Sequence, residues 1–276
     1  MNNKEKKRFE SKLWKPIEHE GVILSKTVFN NSGFDKHIHE EFAIGVISHG
    51  EMNGFIDGTT KSINKKSIMT INPDTAHSNN AYNQNMYSQS AVNIHPSFLS
   101  TLIKENFSSK QVYFKTGLLE HESLSNEFIS LMTSFENNEL STIDYECRLV
   151  EVLNKILLAN TCVQEQKSLS KHDIAIMRAK EFMQDNLSMD ITLDDIAQEL
   201  DLSKFHFLRL FKKHTHFSPH VYLMLKRLER AKQLLQEGKS IIDAVYTCGF
   251  ADQSHLNKHF KTYMGLTPKT YQKFFL

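Results

Sequence analysis

Residues 192–222 read TLDDIAQELDLSKFHFLRLFKKHTHFSPHVY, and residues 240–271 read SIIDAVYTCGFADQSHLNKHFKTYMGLTPKTY. The two stretches are one unit written twice. Residues 203–222 map onto 252–271 by an offset of 49, which pairs Ser203 with Asp252, Phe211 with Phe260, Pro219 with Pro268 and Tyr222 with Tyr271. Upstream the offset is 48 and pairs Thr192 with Ser240 and Asp195 with Asp243. Each copy thus opens on a hydroxyl residue with an acid three places on, close to the box in which an N-cap and its third helical residue satisfy each other's backbone amides. A repeated helical unit predicts one supersecondary structure used twice.

Inside each copy a short helix (Leu193 to Glu199; Ile241 to Thr247) meets a turn residue, Asp201 or Gly249, and then a longer helix capped by Ser203 or Asp252. This is the grammar of a helix-turn-helix. Glycine adopts a left-handed backbone freely and aspartate less readily, so Asp201 is expected to strain the first turn. In copy one Phe207, Leu210, Phe211 and His214 recur at i, i+3, i+4 and i+7 and are expected inside, leaving Phe205, Leu208, Arg209 and Lys212 on the opposite face. In copy two Leu256, His259, Phe260 and Tyr263 take the inward positions, and Gln253, Ser254, Asn257, Lys258 and Lys261 the outward ones. Amides, hydroxyls and cations on an outward face are groups that contact base edges and phosphates. Two ordinary helical hairpins with solvated faces would look similar, but duplication and charge argue against them. Residues 203–276 carry 13 Lys and Arg against 4 Asp and Glu, a net of +9 in a chain of net +1, which leaves −8 for residues 1–202. A basic third inside a near-neutral chain is an electrostatic footprint for phosphate.

These residues also carry a family resemblance. SKFHFLRLFKK, SPHVYL and CGFADQSHLNKHFKTYMGLTPKTY closely resemble the double helix-turn-helix domain of the AraC/XylS transcription regulators. The Gly-Phe turn, the Phe-Lys helix and the Gly and Pro that follow make the second motif the specific one. The resemblance implies DNA contacts by Phe205, Leu208 and Arg209 in the first reading helix and by Gln253, Ser254, Asn257 and Lys258 in the second. Lys212 and Lys261, nearer the helix ends, are expected on phosphate. The chain departs from the family at Asp201, where Gly is usual, and at Val245, where a small Ala is common. Ser218-Pro219 opens the longest helix of this domain, with proline at its first position where no amide partner is lost. Its roughly 18 residues span about 27 Å at ~1.5 Å each, against ~34 Å between adjacent major-groove faces. One rod can therefore hold both reading helices to successive grooves. Phe205 and Leu208, apolar on an outward face, suit thymine methyls; a small satellite core with the linking helix is the other use for them.

The length of 276 residues suggests two domains. The opening MNNKEKKRFESK is polar and charged, resembling neither a signal peptide nor a membrane span, so a cytoplasmic protein without a membrane partner is expected. Cys147, Cys162 and Cys248 share no ligand spacing and are odd in number, which fits reduced thiols used in packing. From Val22 to Val92 short runs (GVILSKTVF, EFAIGVISHG, EMNGFIDG, KSIMTINP, SQSAVNIHP) are bounded by turn residues, the pattern of a β-sandwich or barrel.

Between those runs, HIHEEF places His37, His39 and then Glu41 on one strand face, and PDTAH ends at His77. They resemble the two short motifs of the cupin barrel, as expected of the effector-binding half of the same family. HIHEEFAIGVISHG with INPDTAH is most like a subgroup associated with amino-acid exporters, which points to an amino acid as one effector class. Three imidazoles and a carboxylate suit a divalent transition metal. They also suit hydrogen bonding at a barrel mouth or to an organic effector. The second reading is preferred, because cupin folds in regulators often keep the histidines without the metal, and no metal or cofactor is expected.

After His95-Pro96 the chain turns helical. Leu124, Phe128, Leu131, Met132 and Phe135 form one stripe, and Leu149, Val150, Leu153, Ile156 and Leu157 a second. The two helices are expected either to cover one side of the barrel or to help form a homodimer, which the resemblance suggests; in the second case Leu149, Leu153, Ile156 and Leu157 are the stripe expected to be shared between protomers. The organisation expected is multidomain α+β: residues 1–115 a cupin-like effector-binding β-barrel, 116–161 a helical subdomain available for dimerisation, 162–172 a linker, and 173–276 an all-α double helix-turn-helix domain. The function expected is a sequence-specific regulator of transcription that binds double-stranded promoter DNA as a homodimer under a small-molecule effector. An activator would have RNA polymerase as a further partner. The competing class is a metal-dependent cupin enzyme tethered to a DNA-binding domain; no nucleophile–base arrangement, phosphate loop or paired-cysteine motif points to another enzyme, and a non-enzyme is expected.

Overall fold

In the computed structural model, residues 8–15, 21–100, 112–115, 117–163 and 170–276 are described. The chain divides into two units, 1–165 and 166–276, within the stretch expected as a linker. Alternating apolar residues build β2 (Val22–Asn30), β3 (Phe42–His49), β6 (Ser67–Ile71) and β8 (Met86–Ile94). With β1 (Arg8–Trp14) and β10 (Leu118–Glu120) they form an antiparallel sheet in the order β1-β2-β8-β3-β6-β10. The strands β4 (Met52–Ile56), β5 (Thr59–Ile63) and β7 (His77–Ala81) form a second sheet in the order β5-β4-β7. A short pair, β9 (Val112–Phe114) with β11 (Thr161–Val163), lies beyond them, so residues 162–163 of the expected linker are strand.

The two faces of the large sheet bury different things, because successive strand residues point to opposite sides. Ile47, Phe29, Tyr87 and Met69 meet Met52 and Ile63 of the small sheet in an inner core. Phe42, Ile44 and Val46, with Leu24, Val92 and Ile94, face α1 (Glu122–Glu136) and α2 (Thr142–Asn160) on the outside. These helices contribute Leu124, Phe128, Leu131, Met132, Leu149, Leu153, Ile156 and Leu157 to that outer core. The α2 stripe expected between protomers is thus a correction: Leu149, Leu153, Ile156 and Leu157 are at most 1% exposed and pack on their own sheet. Each such side chain contributes about 1.5–3 kcal/mol by leaving water, which a dimer does not need to supply. The outward side of α2 instead carries Ile143 and Leu158, 69% and 57% exposed.

The C-terminal unit is seven helices: α3 (Lys171–Asp185), α4 (Leu193–Glu199), α5 (Lys204–Thr215), α6 (Pro219–Gln236), α7 (Ile241–Thr247), α8 (Gln253–Met264) and α9 (Pro268–Phe275). The first of these starts inside the expected linker, capped by Ser170. Capping boxes close both short helices: Thr192 with Asp195 on α4, and Ser240 with Asp243 on α7. The Asp195 carboxyl is held below its ordinary range by the Thr192 amide and hydroxyl that it accepts from. The linking helix α6 begins at Pro219 and buries Tyr222, Leu225, Leu228 and Leu235. It also buries an ion pair, Lys232 Nζ at 3.1 Å from both oxygens of Glu229. Arg227 of α6 donates to the carbonyls of Leu187 (2.7 Å) and Met189 (2.8 Å), which fastens the rod to the chain entering α4. Among the described residues no helix is long and apolar enough to cross a membrane.

Candidate nucleic-acid interface and effector site

The reading helices α5 and α8 are positioned by the same contact made twice. Phe211 of α5 meets Tyr222 of α6 edge-on with ring centres 5.3 Å apart, and Phe260 of α8 meets Tyr271 of α9 at the same 5.3 Å. The four rings are the residues paired by the 49-residue offset, and aromatic pairs in this geometry contribute about 0.5–1.5 kcal/mol beyond their burial. On α5, Phe207, Leu210 and Phe211 are buried as expected, but His214 is not. Thr215 takes the inward place and donates to the Phe211 carbonyl at 2.8 Å, while His214 stands outside, 3.8 Å from the Asp173 carboxylate. On α8, Leu256 and Phe260 are buried and His259 and Tyr263 half-buried. Burial, then His255, Lys258 and His220, holds the His259 imidazole below its ordinary pKa.

The opposite faces are open. Phe205 is 71% exposed, Arg209 and Lys212 are exposed, and Leu208 is half-buried, so it alone of the two apolar residues has partial cover from its own domain. Gln253, Ser254, Lys258 and Lys261 are exposed and Asn257 is half-buried. Arg209, Lys212, Lys258 and Lys261 have no acidic partner among the described residues. Lys204, by contrast, is held 3.1 Å from Asp194 at the start of α5. Uncommitted cations on two helices of one unit leave their charge for a polyanion. Both turns that aim these helices are left-handed, Asp201 at φ 53° and Gly249 at φ 72°. Cys248, beside the second turn, is buried and its thiol is pushed up to about 11, so it serves packing.

In the N-terminal unit His37, His39 and His77 come together although 40 residues separate the first from the last. The expected strand around His37 is a correction: β3 starts only at Phe42, and His37 belongs to a single bridge. That bridge brings the residues into contact, the His37 amide donating to His77 at 2.9 Å and the His77 amide to His37 at 3.0 Å. The imidazole centres then lie 4.1 Å (His37 to His77), 4.6 Å (His39 to His77) and 6.1 Å (His37 to His39) apart. Each Nδ1 sits at a backbone carbonyl: Asp35 at 2.7 Å, Glu41 at 2.7 Å and Thr75 at 2.8 Å respectively for His37, His39 and His77. Those contacts select the tautomer with the proton on Nδ1, which leaves each Nε2 an acceptor. The Glu41 carboxylate reaches no closer than 3.9 Å to His39 Nδ1. Burial, then the neighbouring His37 and His39, pushes the His77 pKa well down, so the cluster centres on a neutral imidazole. Among the described residues no group of three or more His, Cys, Asp or Glu is arranged to hold a metal ion.

Residues 21–153 match the family model of the AraC-like ligand binding domain, and residues 196–273 that of a helix-turn-helix domain. Among relatives, an uncharacterized HTH-type transcriptional regulator of Bacillus subtilis, YbfI, is 29% identical over 226 residues, 81% of each chain. The transcriptional activator RhaS of an Enterobacter species is 22% identical over 92% of each chain. Of solved structures, an apo form of ToxT from Vibrio cholerae superposes with a TM-score of 0.55 at 15% identity, covering 97% of this chain and 98% of that one. It shares the order of a sheet-rich half followed by a helical half. With a ligand-binding match over the first half, a helix-turn-helix match over the second and regulators as relatives along most of its length, the chain belongs to the AraC family of transcriptional regulators.

Proposed function

We propose that this protein reads promoter DNA with Phe205, Leu208, Arg209, Gln253, Ser254, Asn257 and Lys258, anchors on phosphate with Lys212 and Lys261, and is switched by a small molecule held in its N-terminal half. The observation that carries the reading is the pair of outward helix faces whose cations have no acidic partner, on helices that one buried rod joins. The rod of α6 is about 27 Å long at ~1.5 Å per residue, short enough beside the ~34 Å groove repeat for both faces to enter one side of a duplex. His37, His39, Glu41 and His77 are proposed to hydrogen-bond the effector at one end of the sheets. An amino acid is the effector class we favour from the likeness of the histidine motifs. A second solved structure, ToxT with bound unsaturated fatty acid, at 13% identity and a TM-score of 0.54, offers a carboxylate as a feature such effectors share.

The protein is proposed to act in the cytoplasm as a homodimer, for which the exposed Ile143 and Leu158 of α2 provide apolar surface. RNA polymerase becomes a partner where it activates. Enzymatic turnover has no support from the relatives, which are regulators. Footprinting upstream of its own and neighbouring genes, with and without candidate amino acids, tests the reading. A protected site of defined sequence is expected; uniform protection at every sequence would refute sequence-specific regulation.

A further inference from the structure

The two sheets of the N-terminal unit leave a seam. Its borders are β5 and β10, the outer strands of the small and large sheets, and no ladder joins them among the described residues. A cavity of about 220 Å³ opens there, lined by Gly54, Ile56, Thr59, Lys61, Ile63 and Leu118 together with Asp57 and Gly117. The space is of the order of a small organic acid.

The register explains the opening. Residues opposite each other in an antiparallel pair share a face, and β4 and β5 pair Lys61 with Gly54, Thr59 with Ile56 and Ile63 with Met52. Met52 and Ile63 lie in the inner core, so Lys61, opposite Gly54, and Thr59, opposite Ile56, stand on the same face where it opens to solvent. A Cβ on Gly54 would come 2.5 Å from Ile63 Cδ1, and one on Gly117 would come 2.5 Å from Ile56 Cγ2. Both glycines therefore leave room that the two isoleucines and the cavity use. The walls, Ile56, Ile63 and Leu118, are branched aliphatics. Lys61 has no acidic partner among the described residues.

We propose that this seam binds a small carboxylate with a branched aliphatic body, its carboxylate on the Lys61 ammonium and its body between Ile56, Ile63 and Leu118. The proposal rests on the reading that the N-terminal half senses a small molecule, and it adds a contact for the ligand's carboxylate at β5. The shared chemistry of a free amino acid and a plain short acid is the carboxylate.

Calorimetric titration of the full chain with leucine, 4-methylpentanoate and 3-methylbutylamine separates the cases. Binding of at least one acid is expected, with none by the amine, and a tenfold preference between the acids names the source. Lys61→Met is expected to weaken the bound acid at least tenfold without changing the melting temperature. Gly54→Ala, which pushes the Ile63 side chain into the cavity, is expected to do the same to the body. Binding of the amine as tightly as the acids, no binding of either acid at millimolar concentration, or acid binding that Lys61→Met leaves intact and His77→Gln removes, each overturns the seam site. A footprint obtained on the same preparation keeps the outcomes apart: loss of binding here with the footprint retained defeats the seam and leaves the DNA-binding reading standing.

Discussion

The first and second helix-turn-helix units solve the same geometric problem with different residues. Their short helices carry the same capping box, and their reading helices rest on the same Phe–Tyr contact. They differ at the turns. Gly249 is pressed on neighbouring backbone: a Cβ there would sit 2.8 Å from the Leu187 carbonyl oxygen and 2.9 Å from Ser188 Cα. Asp201 adopts a similar left-handed backbone, φ 53° against 72°, but its side chain is exposed. The helix ends differ in residue type alone, with His216 (φ 61°) closing α5 and Gly265 (φ 74°) closing α8. A left-handed residue need not be glycine; a left-handed residue against immovable backbone must be. The reading faces diverge too, apolar with one arginine in the first unit and polar in the second, which gives two recognition surfaces on one scaffold.

The largest test of this contrast is Gly249→Ala. A methyl group meets both the left-handed strain and the Leu187–Ser188 backbone, and together these are expected to cost about 2 to 4 kcal/mol. Thermal unfolding of the full chain should show the loss in the C-terminal transition. A variant that melts like the parent would mean that the chain before α4 yields, and the comparison between the two turns would lose its basis.

Next in size is Arg209→Ala. An arginine on a base edge is worth ~1 to 3 kcal/mol of discrimination, so affinity for the specific site should fall while binding to random DNA changes little. Equal losses on both sequences would move Arg209 from the bases to the backbone. Lys212→Ala and Lys261→Ala should behave in the opposite way and alike in the two units. Each removes a proposed phosphate contact, so log affinity should fall on every sequence and the salt slope should flatten by about 0.9. A change in sequence preference with either lysine would break the division of roles between helix start and helix end.

Much of this architecture was legible before any coordinates, and the misses share a physical origin. The repeat at residues 192–271 exposes its own packing, since paired positions must serve the same contacts. β2, β3, β4, β6 and β8 announce themselves as short runs bounded by turn residues. β5 (TTKSI) and β7 (HSNNA) do not, because each presents mostly polar residues and is held by pairing with β4, an arrangement invisible in either segment alone. The place of Lys61 is hidden for the same reason, since only the register sets it opposite Gly54. The α2 stripe shows the limit of periodicity, which says which face is apolar and nothing about what covers it. His214 shows another, as Thr215 at i+8 takes the inward place assigned to i+7. The histidines of HIH and PDTAH do lie together, and their contact depends on a backbone bridge between distant segments.

The smallest expected effect is the sharpest test of what the turns teach. Asp201→Gly restores the residue found at the equivalent place in the second unit and relieves a left-handed strain that is modest for aspartate. The same change gives the unfolded chain more freedom, which costs about 0.4 to 1 kcal/mol. The Asp201 side chain is exposed, so the two terms should offset each other to within roughly half a kcal/mol. Denaturant unfolding of Asp201→Gly beside Gly249→Ala measures both signs in one background. A gain of about 2 kcal/mol or more for Asp201→Gly would show that the first turn stores real strain, and the difference between the units would then be one of tension instead of crowding.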